Sequence, residues 1–83
     1  MLGINTDLIH DGKTFHIQTQ DNGSSSHCIE SLIYREGRVL TTRKSDYTPL
    51  LNSPDLENIV RQLLEEQHRG ILAEISKGEL DHL

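Results

Sequence analysis

Hydrophobic and polar positions alternate with a period of two in the first half of the chain. In residues 14–20, Phe15, Ile17 and Thr19 share one face, and the other face has only polar side chains: Thr14, His16, Gln18 and Gln20. This alternation is typical of a strand with one packed face and one face in water. Gly12 and Gly37 each lie in a polar turn, and glycine supplies the positive φ of tight hairpins. The pattern predicts four strands, near residues 4–9, 14–20, 27–34 and 39–45.

A helical pattern replaces this alternation in the second half. Ser53 is a suitable N-cap, and Pro54 suits the first helical position. Lys77 followed by Gly78 is typical of a helix C-terminus, with a cation in the last turn and a left-handed cap. The sequence therefore predicts one long helix over about residues 54–77.

The two halves combine into one α+β domain that spans residues 1–83. Four consecutive strands with short hairpin turns favour a four-stranded antiparallel meander sheet, with the long C-terminal helix packed on one face. Residues 21–26 have no apolar side chain, so we expect a mobile loop between the hairpins. The predicted core consists of Ile4, Leu8, Phe15, Ile17, Ile29, Leu32, Ile33, Val39, Leu56, Val60, Leu63 and Leu64.

The apolar positions of the helix fall into two groups. On a helical wheel with Leu56 at 0°, the apolar positions in residues 56–64 centre near ~10°, whereas Ile71, Leu72 and Ile75 centre near ~105°. The helix is also ~36 Å long, against ~20–23 Å for a strand of six or seven residues. One interpretation of the two groups is a single wide apolar stripe on a helix that the rest of the chain covers well. We favour a homodimer instead, whose expected interface residues are Gly70, Ile71, Leu72 and Ile75.

Composition and charge narrow the classes of function. Hydrophobic residues make up 34% of the chain, with three aromatics, so the core is thin and self-association would stabilise it. The net charge of −5 argues against nucleic acid as a partner. A single cysteine excludes an intramolecular disulfide. No apolar run is long enough for a membrane span and no signal peptide is visible, so we expect a cytoplasmic protein without a membrane partner.

Basic residues concentrate in the second hairpin, which holds four of the eight in the chain. A solvated edge strand explains such a cluster, because charged side chains discourage unwanted strand pairing. A docking strip for an acidic surface is the functional alternative. A small-ligand or nucleic-acid site on hairpin 35–44 is a further hypothesis. The basic residues concerned are Arg35, Arg38, Arg43 and Lys44.

Motifs for catalysis or cofactor binding are missing from the sequence. It has no glycine-rich phosphate loop and no nucleophile elbow. His16, His27 and Cys28 combine ligand types that suit zinc, but their spacing matches no ligand pattern. His27 neighbours Cys28 on a strand and points to the opposite face, so it cannot act as its base. The sequence predicts a protein that is not an enzyme and has no metal or cofactor.

Two segments resemble a known family. Residues 15–21 read F-H-I-Q-T-Q-D, and residues 65–69 in the helix read E-E-Q-H-R. With the Gly-centred second hairpin, they resemble a family of small uncharacterised bacterial cytoplasmic proteins that share F-H-[IV]-Q-T-[EQ]-D and E-x-Q-H. The resemblance implies a bacterial cytoplasmic origin and transfers no catalytic residue. It singles out the polar strand that contains His16, Gln18, Thr19 and Asp21. Two roles are open for this strand, a turn brace and a recognition face.

These observations favour a non-enzymatic, homodimeric protein-interaction or regulatory module. Its further partner would be another cytoplasmic protein. The candidate binding surface consists of His16, Gln18, Asp21, Arg35, Arg38, Arg43 and Lys44.

Overall fold

The computed structural model describes residues 2–23 and 26–83. Two residues of the predicted mobile loop, Ser24 and Ser25, lie outside the described residues. The chain folds into four strands, a short 3-10 turn and one long helix. These elements are β1 (Gly3–His10), β2 (Lys13–Asp21), β3 (Cys28–Arg35), β4 (Arg38–Asp46), the 3-10 turn Thr48–Leu50, and α1 (Leu56–Ser76).

The strands form an antiparallel sheet in the order β1-β2-β3-β4, and α1 packs on one of its faces. The predicted α+β meander is confirmed. In the first hairpin turn, Asp11 and Gly12 have φ of 51° and 76°. In the second, Glu36 and Gly37 have φ of 52° and 80°. Two positive φ values in a two-residue turn match the right-handed twist of the strands, as in a type I′ hairpin.

The end of α1 is confirmed, whereas its predicted start is wrong. Gly78 has φ of 78°, and its N–H donates to the carbonyl of Ile75 at 3.0 Å. The N–H of Glu79 donates to the carbonyl of Glu74 at 2.9 Å, which completes a Schellman cap. At the other end the helix begins at Leu56, and Pro54 lies in the preceding turn.

The predicted exposed patch at the end of the helix is wrong. Ile71 and Ile75 are 0% exposed and pack against Phe15, Ile17 and Ile33 of the same chain. Leu72 is partly buried against that cluster, and Gly70 is exposed. These four residues therefore do not form the uncovered apolar surface on which the homodimer interface was predicted.

Two errors of geometry explain this correction. The helix has 21 residues and spans ~32 Å, while strands of eight or nine residues span ~26–31 Å, so α1 matches the sheet in length. The buried positions of α1 are also spaced four, four, three and four residues apart, as in one continuous stripe. The alternative of a wide stripe on a covered helix is what the structure has. Those buried positions are Val60, Leu64, His68, Ile71 and Ile75.

The core has two apolar clusters along the helix. One contains Phe15, Ile17, Ile33, Ile71, Ile75 and Leu80. The other contains Ile29, Tyr47, Val60 and Leu64. Four further predicted core residues, Ile4, Leu8, Leu56 and Leu63, are partly buried against these clusters.

Val39 and Leu32 were wrongly predicted as core. A register shift between Ile33 and Tyr34 leaves one extra residue in β4, so that Val39 opposes Tyr34 on the face away from the helix. Val39 is 57% exposed, and Leu40 packs against the core in its place.

Within the described residues no helix is long and apolar enough to cross a membrane.

Candidate functional site

The face of the sheet opposite α1, here called the uncovered face, carries the side chains that alternate with the core. One cross-strand row on it consists of Asp7, His16, Tyr34 and Val39. The next row consists of Asn5, Gln18, Leu32 and Thr42. The predicted surface residues His16 and Gln18 thus lie side by side on a face to which the chain's own helix does not pack.

A depression of about 470 Å³ lies on the uncovered face. Strand β2 supplies one wall, and the second hairpin turn supplies the other, where Glu36 Oε1 accepts the backbone N–H of Thr14 at 3.2 Å. Its volume is that of a small-molecule or side-chain site rather than a deep cavity. The depression is lined by Thr14, His16, Gln18, Tyr34, Glu36 and Gly37.

His16 is the best-oriented side chain in the depression. Its Nδ1 lies 2.6 Å from Oδ1 of Asp7, and a carboxylate can only accept, so Nδ1 is the donor. This bond fixes the ring and leaves Nε2 for a further partner. The ring centroid lies 5.8 Å from that of Tyr34, in a tilted contact. The two rings give the depression an aromatic floor with polar edges.

The surroundings of the depression combine apolar and acidic groups. Ile9 is 72% exposed and Val39 57% exposed, one on each outer strand of the same face. Asp7 and Glu36 add two carboxylates near its rim. Large apolar side chains next to carboxylates are typical of a surface that binds a basic, partly apolar partner.

The predicted strip of basic residues is not one surface, because alternate residues of a strand point to opposite faces. Arg43 lies on the helix side, where its two terminal nitrogens donate to the carboxylate of Glu74. This hydrogen bond raises the pKa of Arg43 and lowers the pKa of Glu74. Lys44 lies on the uncovered face, 3.7 Å from a carboxylate oxygen of Glu30. Two of the four cations are thus paired with the chain's own acids.

The other two cations lie at the end of the sheet. Arg35 donates from Nη2 to the backbone carbonyl of Leu83. Arg38 is exposed beside it, since the two residues form the last pair of the β3–β4 ladder. The candidate surface predicted from the sequence is therefore divided among three places in the fold.

Asp21 is a brace for the loop rather than part of the recognition face. Its Oδ1 accepts the hydroxyl of Tyr47 at 2.6 Å. Burial, aided by this hydrogen bond, raises the pKa of Tyr47 to about 12. A Cβ at Gly23 would lie 2.7 Å from the Tyr47 hydroxyl, so only glycine fits between strand and ring. Of the two roles proposed for the polar strand, the brace is the one that Asp21 has.

A chain of buried polar side chains crosses the interior between the two apolar clusters. His68, 3% exposed, bonds through Nε2 to Thr6 Oγ1 and through Nδ1 to Thr19 Oγ1, each at 2.8 Å. Thr19 Oγ1 lies 2.6 Å from Ser31 Oγ, which accepts the amide of Gln67 at 2.8 Å. Thr19 belongs to the F-H-I-Q-T-Q-D segment and His68 to E-E-Q-H-R, so the two segments meet in this network.

A consistent set of donors and acceptors in this network favours one tautomer of His68. Because Gln67 donates to Ser31, the Ser31 hydroxyl is satisfied if it donates to Thr19. Thr19 then donates to Nδ1 of His68, and the Nε2–H donates to Thr6. Burial lowers the pKa of His68, which favours this neutral form. The network holds the helix in register on the sheet.

The zinc ligands considered from the sequence do not come together. His16 pairs with Tyr34 near one end of β3, whereas Cys28 begins that strand, six residues or ~20 Å away. Cys28 bonds instead to Ser26, with Sγ 3.3 Å from Oγ. His27 lies against the ring of Tyr47.

Sequence reasoning placed Thr19 on the packed face of β2, as the structure has it, but missed Ser31, His68 and Tyr47 as interior residues. The signal for His68 was its position four residues after Leu64 and three before Ile71, which places it on the buried stripe. Dividing the apolar positions of the helix into two groups hides this signal, because His68 falls between residues 56–64 and residues 71–75. Alternation also places Thr6 between Ile4 and Leu8, and Ser31 between Ile29 and Ile33, on the packed face, but it does not show their hydrogen-bond partners.

Comparisons with known proteins found no match to this chain among family models, curated proteins or solved structures.

Proposed function

We propose that this protein is a non-enzymatic protein-interaction module whose uncovered face binds a basic, partly apolar segment of a partner protein. The observation that carries the proposal is the depression of about 470 Å³ beside His16 and Tyr34. It lies on a face bordered by exposed apolar side chains and by carboxylates. The helix and its network supply the rigid scaffold behind it.

Exposed apolar area is the first support. Ile9 and Val39 lie on the two outer strands of the uncovered face, at 72% and 57% exposure. Full burial of each side chain would contribute ~1.5–3 kcal/mol. Burial by a partner that spans the sheet would recover part of that free energy, and the depression between them would take one of the partner's side chains.

The charge of the uncovered face is the second support, because its carboxylates favour a cationic side chain of the partner. Glu36 lines the depression and Asp7 lies next to His16, whereas Lys44, on the same face, is paired with Glu30. The ring of Tyr34 can accept a guanidinium or ammonium group on its face. An arginine or lysine side chain of the partner therefore finds both an aromatic surface and a carboxylate in one site.

The same charge disfavours the other partners considered. Nucleic-acid phosphates would meet the carboxylates of this face, and Arg43 and Lys44 are paired with acids of the chain itself. A second copy of the chain would bring another net charge of −5. The predicted homodimer also loses its apolar patch, because Ile71 and Ile75 lie in the core.

The geometry around His16 supports binding rather than nucleophilic catalysis. Asp7 orients the ring as it would orient a general base. Within residues 2–23 and 26–83, however, no hydroxyl or thiol is hydrogen-bonded to His16. The pair serves instead to hold the ring as one wall of a binding site.

The test uses two synthetic peptides of equal length with the same apolar residues, one carrying arginines and the other glutamates at the remaining positions. Binding is measured by fluorescence anisotropy at low and at physiological salt. We expect the arginine peptide to bind with a Kd below about 1 mM, more weakly at the higher salt. The glutamate peptide should not bind.

Two variants and one control localise the binding. Tyr34→Ala removes the aromatic floor, and Glu36→Gln removes the charge while keeping an oxygen that can accept the Thr14 N–H. Each should weaken the arginine peptide by at least about fivefold, or ~1 kcal/mol. Glu65→Gln, on the exposed side of α1, removes the same charge elsewhere and should leave the Kd unchanged. Equal binding of both peptides, no binding, or self-association through the same face would contradict the proposal.

A further inference from the structure

Three side chains with metal-ligating atoms lie close together where the first hairpin turn approaches the turn that follows α1. His10 ends β1, Asp11 is the first residue of the turn, and Asp81 follows the Schellman cap of α1. One ligand atom from each lies within 4.8 Å of the others. No local sequence pattern marks this cluster, because His10 and Asp81 are 71 residues apart in the chain.

Two of the three distances in this cluster match those of ligands around one ion, and the third, between the two carboxylates, is at most 4.8 Å. Nε2 of His10 lies 3.4 Å from a carboxylate oxygen of Asp11 and 3.5 Å from one of Asp81. A charge-assisted N–H···O bond is shorter, about 2.7–2.9 Å. Two ligands bonded at about 2.0–2.1 Å to one tetrahedral ion lie about 3.3–3.4 Å apart. The observed spacing leaves room for a cation between the ring nitrogen and the two carboxylates.

Nε2 of His10 is a second, separate observation. This atom is buried and makes no hydrogen bond within the described part of the chain; its polar neighbours are the two carboxylate oxygens at 3.4 and 3.5 Å. A buried nitrogen without a hydrogen bond is costly, and nearly all such atoms in folded proteins are satisfied. Here the lone pair of a neutral imidazole would be satisfied by a metal ion that the two carboxylates also hold.

The fold holds the backbone of the three ligands. Asp11 has φ of 51°, a conformation that aspartate and asparagine tolerate better than other residues with a side chain. The backbone N–H of Asp81 donates to the carbonyl of Gly78 at 3.2 Å, and the neighbouring Leu80 is buried in the core. The carboxylates of Asp11 and Asp81 are 76% and 47% exposed, so a bound ion would order them and would itself be open to water.

We propose that His10, Asp11 and Asp81 bind a divalent transition-metal ion, with zinc as the best-matched one. One imidazole and two carboxylates form a donor set typical of zinc and its first-row neighbours, whereas calcium and magnesium favour oxygen ligands alone. Water would complete the coordination on the exposed side. The ion would join the first hairpin to the segment after α1, as a metal staple does in small domains.

The test titrates Zn²⁺ into the metal-free protein and follows heat and melting temperature. Co²⁺ is added separately, because its visible absorption reports the coordination geometry. We expect one bound ion per chain and a melting temperature that rises with Zn²⁺ concentration. The ring resonances of His10 should shift in NMR spectra, and those of His16 should not.

Variants that preserve the fold separate this site from other histidines. His10→Gln, Asp11→Asn and Asp81→Asn each remove one ligand, and asparagine tolerates the positive φ at position 11. Each should weaken Zn²⁺ binding by at least about tenfold, or ~1.4 kcal/mol. His16→Gln is the matched control and should bind as the unchanged protein does.

Two outcomes would overturn the assignment. One is the absence of Zn²⁺ binding up to about 1 mM, in the affinity range of weak sites, which would leave the three side chains as a cluster without an ion. The other is binding that survives His10→Gln, which would place the ion elsewhere on the chain.

Discussion

His68 shows how a single polar residue in an apolar stripe sets the register of the whole domain. It lies between the two apolar clusters and bonds to strands β1 and β2 through its two ring nitrogens. Each nitrogen has a partner of the right kind in the neutral form, so burial of the ring is compensated. The same arrangement makes the fold sensitive to protonation.

The first prediction is that stability falls in mild acid because of His68. In the folded protein, burial lowers the pKa of His68 below its usual value of 6.5. Below pH 6.5 the unfolded chain binds the proton more readily, so the free energy of unfolding decreases as the pH falls from 6.5 toward the folded-state pKa. The slope from one proton cannot exceed ~1.4 kcal/mol per pH unit.

Urea unfolding between pH 7.5 and 5.5 measures this dependence. His68→Asn should be less stable at both pH values but should show a shallower slope than the unchanged protein. His16→Gln, a histidine on the uncovered face, serves as the control for histidine removal in general. Equal slopes for the unchanged protein and His68→Asn would show that the His68 proton is not coupled to folding.

The second prediction concerns the tight contact at Gly23. A Cβ there would lie 2.7 Å from the Tyr47 hydroxyl and 3.2 Å from Oδ1 of Asp21. Gly23→Ala must therefore displace the buried hydroxyl or break its bond to Asp21, at a cost of ~1–3 kcal/mol. Gly70→Ala is the control, since a Cβ there meets no described atom within 4 Å outside its own helix.

The two alanine variants should move in opposite directions in urea melts. Gly70→Ala should stabilise the protein by ~0.5–1 kcal/mol, because alanine is the better helix former. A Gly23→Ala protein as stable as the unchanged one would mean that the Asp21–Tyr47 bond does not hold the loop.

At the scale of elements, the hairpins and the end of the helix could be predicted because their signals are local. Gly12 and Gly37 mark turns whose backbone requires positive φ, and both have it. Lys77 and Gly78 likewise mark the helix end. These features depend on a few neighbouring residues, and tertiary packing does not override them.

The features that were predicted wrongly depend on contacts between elements. The extra residue in β4 exchanges Val39 for Leu40 in the core, and nothing in residues 38–41 marks it. The strands have eight or nine residues and not the predicted six or seven, so the helix does not extend beyond the sheet as the sequence analysis predicts. The division of the basic hairpin follows from alternation, which the sequence does contain and which we did not apply to the arginines.

The third prediction separates a core role for Ile71 from an interface role. Ile71→Ala should lower the free energy of unfolding by ~2–4 kcal/mol, because it leaves a cavity beside Phe15 and Ile33. The loss should be the same at low and at high protein concentration, since the contacts lie within one chain. Leu72→Ala, at a partly buried position, is the matched comparison and should cost less.

Unfolding curves at two protein concentrations decide between the two roles. A midpoint that rises with concentration in the unchanged protein, and no longer does so in Ile71→Ala, would contradict the core assignment. It would restore the homodimer predicted for the end of the helix.

At the scale of the molecule, one helix covers one face of a four-stranded sheet, and the other face has no helix packed on it. The core, the polar network and the Asp21–Tyr47 brace all lie on the helix side. The uncovered face carries the depression, two exposed apolar side chains and carboxylates. The central claim of the proposed function is that this second face is where a basic segment binds.

The most direct test is amide chemical-shift mapping of the isotope-labelled protein with the arginine peptide described above. The account predicts that the largest shifts fall on residues that line the depression, namely Thr14, His16, Gln18, Tyr34 and Glu36, and are lost in Tyr34→Ala. Residues on the exposed side of α1, such as Glu65 and Arg69, should not shift. Largest shifts along α1, or shifts of equal size on both faces, would contradict it.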